Sequence, residues 1–254
     1  MDSTHSPSLT KTIAVVMPAF NESAGIKEFL LELAEQFDAV SVKFLIVDDC
    51  STDSTWDVLQ QISASGLFDL EMTRNERNLG HGPSTIKALT AGLESGQSVI
   101  VACDGDGQIG GADMRKVVDA LDIDDVVVVE GVRVARRDAL FRRVVSQATR
   151  LLVFLRTGKL PRDANTPFRA YRRSALEVVL QSGRIGEIVP NLDISTYVRT
   201  VGMKVLELSV NSRPRRGPST LGSTWSGGNR WIPSRKFVMF CFRALRDWVR
   251  RRTE

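Results

Sequence analysis

The first half of the chain alternates short apolar runs with stretches whose apolar residues recur at helical spacing. Ile13–Met17 is an apolar run that stops at Pro18 and a polar turn around Asn21 and Glu22. Ile26, Phe29, Leu30, Leu33 and Phe37 then fall three or four apart, which predicts an amphipathic helix. Val42–Val47 is a second run, closed by Asp48 and Asp49. A helix carrying Trp56, Leu59 and Ile62 follows, opening at Ser51 or Asp53. A third strand is predicted near Leu70–Thr73, and the turn Asn78-Leu-Gly-His-Gly82 leads into a helix through Ile86, Leu89 and Leu93. Ser98–Cys103 is a fourth strand ending at Asp104, Met114–Leu121 a helix, and Val126–Val129 a fifth strand.

Strands that alternate with helices in this way make βαβ units and a mostly parallel sheet. The fold class is therefore α/β, in a single domain. Ligands of such open sheets bind beyond the carboxyl ends of the strands, where the strand order reverses. The polar residues of this half gather at those ends: Asn21 and Glu22, Asp48 and Asp49, Gly80 and Gly82, Asp104 and Asp106.

The second half is less regular. Asp138–Leu155 has helical periodicity, with Phe141, Val144, Val145, Ala148, Leu151, Leu152 and Leu155 on one broad face and Arg142, Arg143, Arg150 and Arg156 elsewhere. Asp163–Arg169 follows, then helices near Ser174–Leu180 and Asp193–Val201 and a strand at Lys204–Val210. Arg213–Ser219 is a basic loop and Gly222–Asn229 a flexible Ser/Gly-rich stretch. Pro233–Arg252 closes the chain as a basic amphipathic helix.

Charge sharpens this division. Residues 1–125 hold 8 Lys/Arg against 21 Asp/Glu, a net of −13, whereas residues 126–254 hold 26 against 9, a net of +17. The acidic half suits a cation; the basic half suits phosphate, nucleic acid or an anionic membrane. Nucleic acid is the weakest of the three, because the arginines are not interleaved with stacking aromatics and no binding motif is present. Cys50, Cys103 and Cys241 are widely spaced, so neither a disulfide framework nor a zinc site is indicated, and a reducing cytosol is the expected compartment. With only His5 and His81, a histidine-based metal site is not indicated. No apolar run reaches the roughly 18–20 residues that cross a bilayer. Met1–Thr10 lack the apolar centre of a signal peptide.

Asp104-Gly-Asp-Gly-Gln108 is the strongest chemical signal. A strand delivers two carboxylates and an amide into a turn kept open by Gly105 and Gly107. Hard oxygen ligands of this kind suit Mg²⁺ or Mn²⁺ held jointly with a diphosphate. Asp48 and Asp49 stand where a base or ribose is hydrogen-bonded, while Ser51 or Asp53 caps the next helix. Gly80 and Gly82 either bring backbone N–H groups to a nucleotide or form a plain tight turn. Glu187 and Asp193 are the remaining candidates for a general base, against a purely structural role.

Val16-Met-Pro-Ala-Phe-Asn-Glu22, Val47-Asp-Asp-Cys-Ser-Thr-Asp53, Asn78–Gly82 and Asp104–Gln108 occur in this order with fitting spacing, and together they resemble family-2 glycosyltransferases over about residues 12–220. Gly131-Val-Arg133, Asp163–Arg169 and Arg215–Ser219 resemble the dolichol-phosphate mannose synthase branch, which loads a sugar onto a polyprenyl phosphate. The resemblance implies a single Rossmann-like GT-A domain and an inverting transfer from a nucleoside-diphosphate sugar that depends on Mg²⁺ or Mn²⁺. By it, Pro18, Phe20, Asn21, Glu22, Asp49 and Asp104 bind the nucleotide, and Asp104, Asp106 and Gln108 hold the metal. Arg133, Arg169, Arg215, Arg216 and Ser219 meet the acceptor phosphate, and Asp106, Arg133 and Arg169 carry catalysis. Two departures are Thr166-Pro167 in place of a Ser-Gly pair and Ser219-Thr220 in place of Ser-Lys; Arg215 or Arg216 then supplies the missing cation.

The expected organisation is a disordered tail over residues 1–11, a catalytic domain over 12–220 and a flexible linker with an amphipathic helix over 221–254. The domain divides into a nucleotide-sugar half (12–130) and an acceptor half (131–220). A phosphate acceptor also suits the composition. A hydroxyl must lose a proton to attack and needs a base, whereas a phosphate is already an anion and needs Arg forks to hold it. The terminal helix, with Phe237, Val238, Phe240, Cys241, Leu245, Trp248 and Val249 among basic residues, suits a membrane interface. That places the protein peripherally on the cytoplasmic leaflet; otherwise the stripe packs on the domain or on a second subunit. The other readings are transfer to a saccharide or small-molecule hydroxyl, and a non-catalytic nucleotide-sugar-binding protein.

Overall fold

The computed structural model describes residues 11–37, 42–134, 140–216 and 235–250. The elements are β1 (Ile13–Ala19), α1 (Ile26–Glu35), β2 (Val42–Asp48), α2 (Thr55–Ser65), β3 (Asp69–Arg74), α3 (His81–Glu94), β4 (Val99–Ala102), α4 (Gly111–Asp119), β5 (Val128–Val134), α5 (Leu140–Thr157), β6 (Arg169–Arg172), α6 (Arg173–Gln181), α7 (Pro190–Thr200), β7 (Val205–Asn211) and α8 (Arg235–Arg250). A single 3-10 turn, Ala120–Asp122, follows α4.

Alternation along β1 divides the core. Ile13, Val15, Met17 and Ala19 face a cluster with Phe29 and Leu33 of α1, Leu59 of α2 and Met114 and Val117 of α4. Ala14 and Val16 face the other side, with Leu89 of α3, Leu176 and Val179 of α6 and Ile194 and Val198 of α7. Period-2 side chains on a central strand thus bury both faces of one sheet.

The sheet has seven strands in the order β3-β2-β1-β4-β6-β5-β7. Pairings are parallel except those of β6, which runs antiparallel to both β4 and β5. The order reverses between β1 and β4, so the ends of these strands open the crevice expected for a ligand. Strand β6 was not foreseen from the sequence. It has four residues and begins at an arginine, which leaves no run for periodicity to register.

The apolar face read over Asp138–Leu155 falls on α5 and is largely uncovered. Val144, Leu151 and Leu155 of α5 are exposed. Val153, outside that stripe, is the fully buried residue, in a small cluster with Ala164, Leu192 and Trp248. Helix α8 is joined to the body at Trp248, whose ring lies 3.3 Å from the Arg156 guanidinium carbon. Val238, Met239, Phe242, Leu245 and Val249 of α8 are exposed. The expected tail at 1–11 (apart from Lys11), the whole linker before α8 and Ser219 lie outside the described residues.

Candidate active site

The crevice between β1 and β4 is built from loops tied to one another. Past β1, Asn21 adopts φ 57°, and its side-chain oxygen accepts the Thr52 N–H at 2.8 Å. The Glu22 N–H donates to Thr55 Oγ1 at 2.8 Å, and the Ser23 hydroxyl donates to Asp53. Asp53 also accepts the N–H of Thr55, the first residue of α2, at 2.9 Å. Phe20 is half-buried on the same loop, and the Pro18 carbonyl accepts the Gly105 N–H. Three segments far apart in sequence are thus cross-linked at the carboxyl ends of β1, β2 and β4.

Asp48 and Asp49 are both enclosed. Asp48 lies 3.1 Å from Arg74 Nε and accepts from Ser51. Asp49 accepts the backbone N–H of Leu79 at 2.9 Å and of Gly80 at 2.8 Å, and the Asn75 amide at 2.8 Å. Its carboxylate shapes the Asn78–Gly80 turn rather than standing free for a ligand. The turn feeds α3, where a Cβ at Gly82 would come within 1.7 Å of the Glu187 carbonyl oxygen. Only a glycine lets the loop before α7 close on this corner.

Asp104 and Asp106 follow β4. Asp104 Oδ1 is buried and accepts no hydrogen bond; His81 Nε2 is 3.8 Å away, beyond hydrogen-bond range. A buried carboxylate oxygen without a donor is costly unless something else supplies positive charge. Asp106 accepts the Gln108 N–H at 3.0 Å. Burial, and then the neighbouring charge of Asp104, push its carboxyl up to about 6, against the pull of that N–H, Arg215 and Arg133. Glu22 is pushed up to about 8 by burial, with Arg215 opposing and the two aspartates adding to the rise. Gly107, between Asp106 and Gln108, has φ 69°, a left-handed conformation that glycine adopts without steric cost.

These residues fit a divalent cation in part. The orphaned Asp104 oxygen and the raised carboxyl of Asp106 both mark a local deficit of positive charge. Among the described residues no cluster of three or more His, Cys, Asp or Glu side chains forms a closed cage. A cation at Asp104 and Asp106 therefore needs oxygens from a diphosphate, which is how Mg²⁺ is commonly held.

The arginines separate into two groups. Arg133 pairs with Asp163 at 3.0 Å, and its charge reaches Asp106. Arg215 reaches back to Glu22 at 2.6 Å, and Arg216 pairs with Glu32. Arg169 is the exception, and its expected role at the acceptor phosphate is corrected. It is wholly buried, with Nε on Glu130 at 3.0 Å and its other nitrogens on the side chain and backbone of Asn191. Glu130 also binds Arg199 at 2.6 Å, and Arg199 reaches Glu207 at 3.0 Å. This enclosed network holds β5, β6, α7 and β7 together. The signal for it in the sequence was Glu130 itself, an acidic residue closing a run of four valines.

The two candidate bases differ in their surroundings. Asp193 is buried and accepts the Gly186 N–H at 2.9 Å. Glu187 is exposed on the loop that packs against Gly82.

The model of the family described as "Glycosyl transferase family 2" matches residues 14–180. A UDP-N-acetylglucosamine–dolichyl-phosphate N-acetylglucosaminyltransferase of Methanococcus voltae is 27% identical over 191 residues, covering 68% of this chain and 74% of that protein. An undecaprenyl-phosphate 4-deoxy-4-formamido-L-arabinose transferase of Salmonella choleraesuis is 28% identical over 186 residues, covering 72% of this chain; the match spans only 55% of that longer protein. Among solved structures, glucosyl-3-phosphoglycerate synthase of Mycobacterium tuberculosis, in complex with Mn²⁺ and UDP-glucose, is similar in fold. Its TM-score is 0.60 at 17% identity, covering 95% of this chain and 79% of that one.

Proposed function

The chain belongs to glycosyl transferase family 2, and from that premise we propose that it transfers a sugar, with inversion, from a nucleoside-diphosphate sugar to a polyprenyl phosphate. The observation that carries this reading is the convergence of Arg133 and Arg215 towards Asp106, in a half of the chain that holds 26 Lys/Arg against 9 Asp/Glu. An acceptor that is already an anion suits that arrangement. A hydroxyl acceptor would need Glu187, which is exposed, or Asp193, which is tied to Gly186. The curated relatives from Methanococcus and Salmonella act on dolichyl and undecaprenyl phosphate by name.

In this reading Asp104 and Asp106, with Gln108 beside them, hold Mg²⁺ or Mn²⁺ together with the donor diphosphate. That cation would neutralise the charge that develops on the leaving nucleoside diphosphate. Pro18, Phe20, Asn21 and Glu22 line the nucleobase side, and Asp49 fixes the turn that borders it. Arg133 and Arg215 orient the acceptor phosphate through its non-attacking oxygens. An acceptor oxygen then forms the bond to the anomeric carbon as the bond to the diphosphate breaks, and the electron pair leaves with the nucleotide. No proton need move from the acceptor. Arg216 and Ser219 extend the same basic segment.

Membrane association is part of this proposal. No described helix is long and apolar enough to cross a bilayer. Helix α5 carries arginines and no acidic residue, and α8 combines Arg243, Arg246 and Arg250 with exposed Phe242, Leu245 and Val249. Apolar and cationic groups together suit the surface of an anionic cytoplasmic leaflet. The proposal includes no nucleic-acid partner; a second copy of the chain on the exposed stripe is the competing use of it.

The deciding experiment is a panel of nucleotide sugars with Mn²⁺ or Mg²⁺ and a short polyprenyl phosphate, read by mass spectrometry. A glycosylated lipid phosphate is expected. Transfer only to saccharide or small-molecule hydroxyls would overturn the acceptor.

A further inference from the structure

We infer that Arg215 is the resident counter-ion of the donor-site carboxylates, that a divalent cation must displace it, and that Glu32 sets it in place. The inference rests on the reading that Asp104 and Asp106 hold a cation.

After β7 the chain turns back over the site as a strap. The Asn211 N–H is held by Asp113 at 2.9 Å, and Ser212 forms an antiparallel bridge with Ile109. The Arg213 N–H donates to the Gln108 carbonyl at 2.9 Å and the Arg216 N–H to the Asp106 carbonyl at 3.1 Å. The strap is thus hydrogen-bonded to the loop that carries Asp106 and Gln108.

Its outer edge is clamped by one side chain. Glu32 of α1 accepts from Arg213 Nη1 at 2.7 Å, from Arg216 and from the Gly111 N–H at 2.9 Å. Gly25 leaves room for this path, because a Cβ there would lie 2.4 Å from Arg216 Cβ. Arg215 falls between the two clamped arginines and points inward. Its Nη2 meets Glu22 Oε1 at 2.6 Å and the Asn21 carbonyl at 3.4 Å, and its Nε meets Glu22 Oε2 at 3.3 Å. The guanidinium therefore pairs with Glu22 and its charge reaches Asp106, and the three carboxyl groups Glu22, Asp104 and Asp106 act on one another electrostatically.

A guanidinium and a divalent cation cannot share that field without repelling each other. Cation binding thus works against the Arg215–Glu22 pair, and its release frees the Arg215 fork for a phosphate. Glu32, which touches none of the three carboxylates, acts as a positioning residue by holding Arg213 and Arg216 on either side.

The test is Mn²⁺ binding without nucleotide, measured on the full chain by electron paramagnetic resonance, for the native protein, Arg215→Gln and Glu32→Gln. Arg215→Gln is expected to bind Mn²⁺ about tenfold tighter, and Glu32→Gln roughly threefold tighter, because a competing positive charge is removed or loosened. Equal or weaker binding by Arg215→Gln overturns the counter-ion assignment. A native protein that binds no Mn²⁺, alone or with a nucleoside diphosphate, overturns the cation reading beneath it. A second measurement needs no variant: Mn²⁺ alone should speed tryptic cleavage after Arg215 and Arg216 of the native chain. Cleavage that Mn²⁺ leaves unchanged or slows overturns the displacement.

Discussion

Asp49 and Gly80 are joined beside the crevice, with the Asp49 Oδ2 accepting the Gly80 N–H at 2.8 Å. The end of β2 thereby fixes the start of α3, and Leu79 and Asn75 complete the set on Oδ1. Asp49→Ala removes a buried acceptor from three donors. It should lower stability by about 2 kcal/mol or more and weaken nucleoside-diphosphate binding, as read by denaturant unfolding and calorimetry. Unchanged stability would mean that the turn holds itself.

Glu22 should make stability depend on pH. Its carboxyl lies at about 8 in the folded chain, against an ordinary value of 4.5, chiefly because it is buried. Between these values the folded state keeps a proton that the unfolded chain has lost, so Glu22 adds stability as pH falls from about 8 towards 4.5. Glu22→Gln should remove that slope and raise the melting temperature most at alkaline pH. Melting curves of both proteins from pH 5 to 9 check it; parallel curves would contradict the assignment.

Asp106→Ala should abolish transfer and weaken nucleoside-diphosphate binding while the far-ultraviolet circular dichroism stays native. Chelation with EDTA should have the same effect on the native enzyme, reversed by Mn²⁺ or Mg²⁺. Full activity of the purified enzyme in EDTA would exclude the metal role.

Arg133 and Arg169 should part company when each is changed to Ala. Loss of Arg133, the proposed phosphate contact, should cut transfer about ten- to a hundredfold with only a modest stability change. Loss of Arg169 leaves Glu130 buried with Arg199 alone and should cost roughly 3 kcal/mol of stability. Paired unfolding and turnover measurements separate them; the reverse pattern would return Arg169 to the acceptor site.

Membrane docking should depend on the exposed apolar residues of α5 and α8. Phe242→Glu, at a position 70% exposed, should leave folding intact and reduce cosedimentation with anionic vesicles. Binding by the native chain should also fall as salt rises. A native chain that stays in the supernatant at low salt would assign the stripe to packing or to a second copy.

The sequence by itself determined the strand–helix alternation from Ile13 to Val129 and the gathering of polar residues at strand ends. Both are local: period-2 and period-3.6 patterns are written within a few residues, and acidic turns follow directly from them. The antiparallel β6 was decided only by tertiary structure, since four residues between two helical segments carry no period of their own. So was the division of the arginines. Arg169 and Arg133 look alike in sequence, yet one is sealed against Glu130 and the other pairs with Asp163 beside the site. Likewise, Arg215 meets Glu22 across 193 positions of chain. Which carboxylate faces which guanidinium depends on where distant segments cross, and no local pattern encodes that crossing.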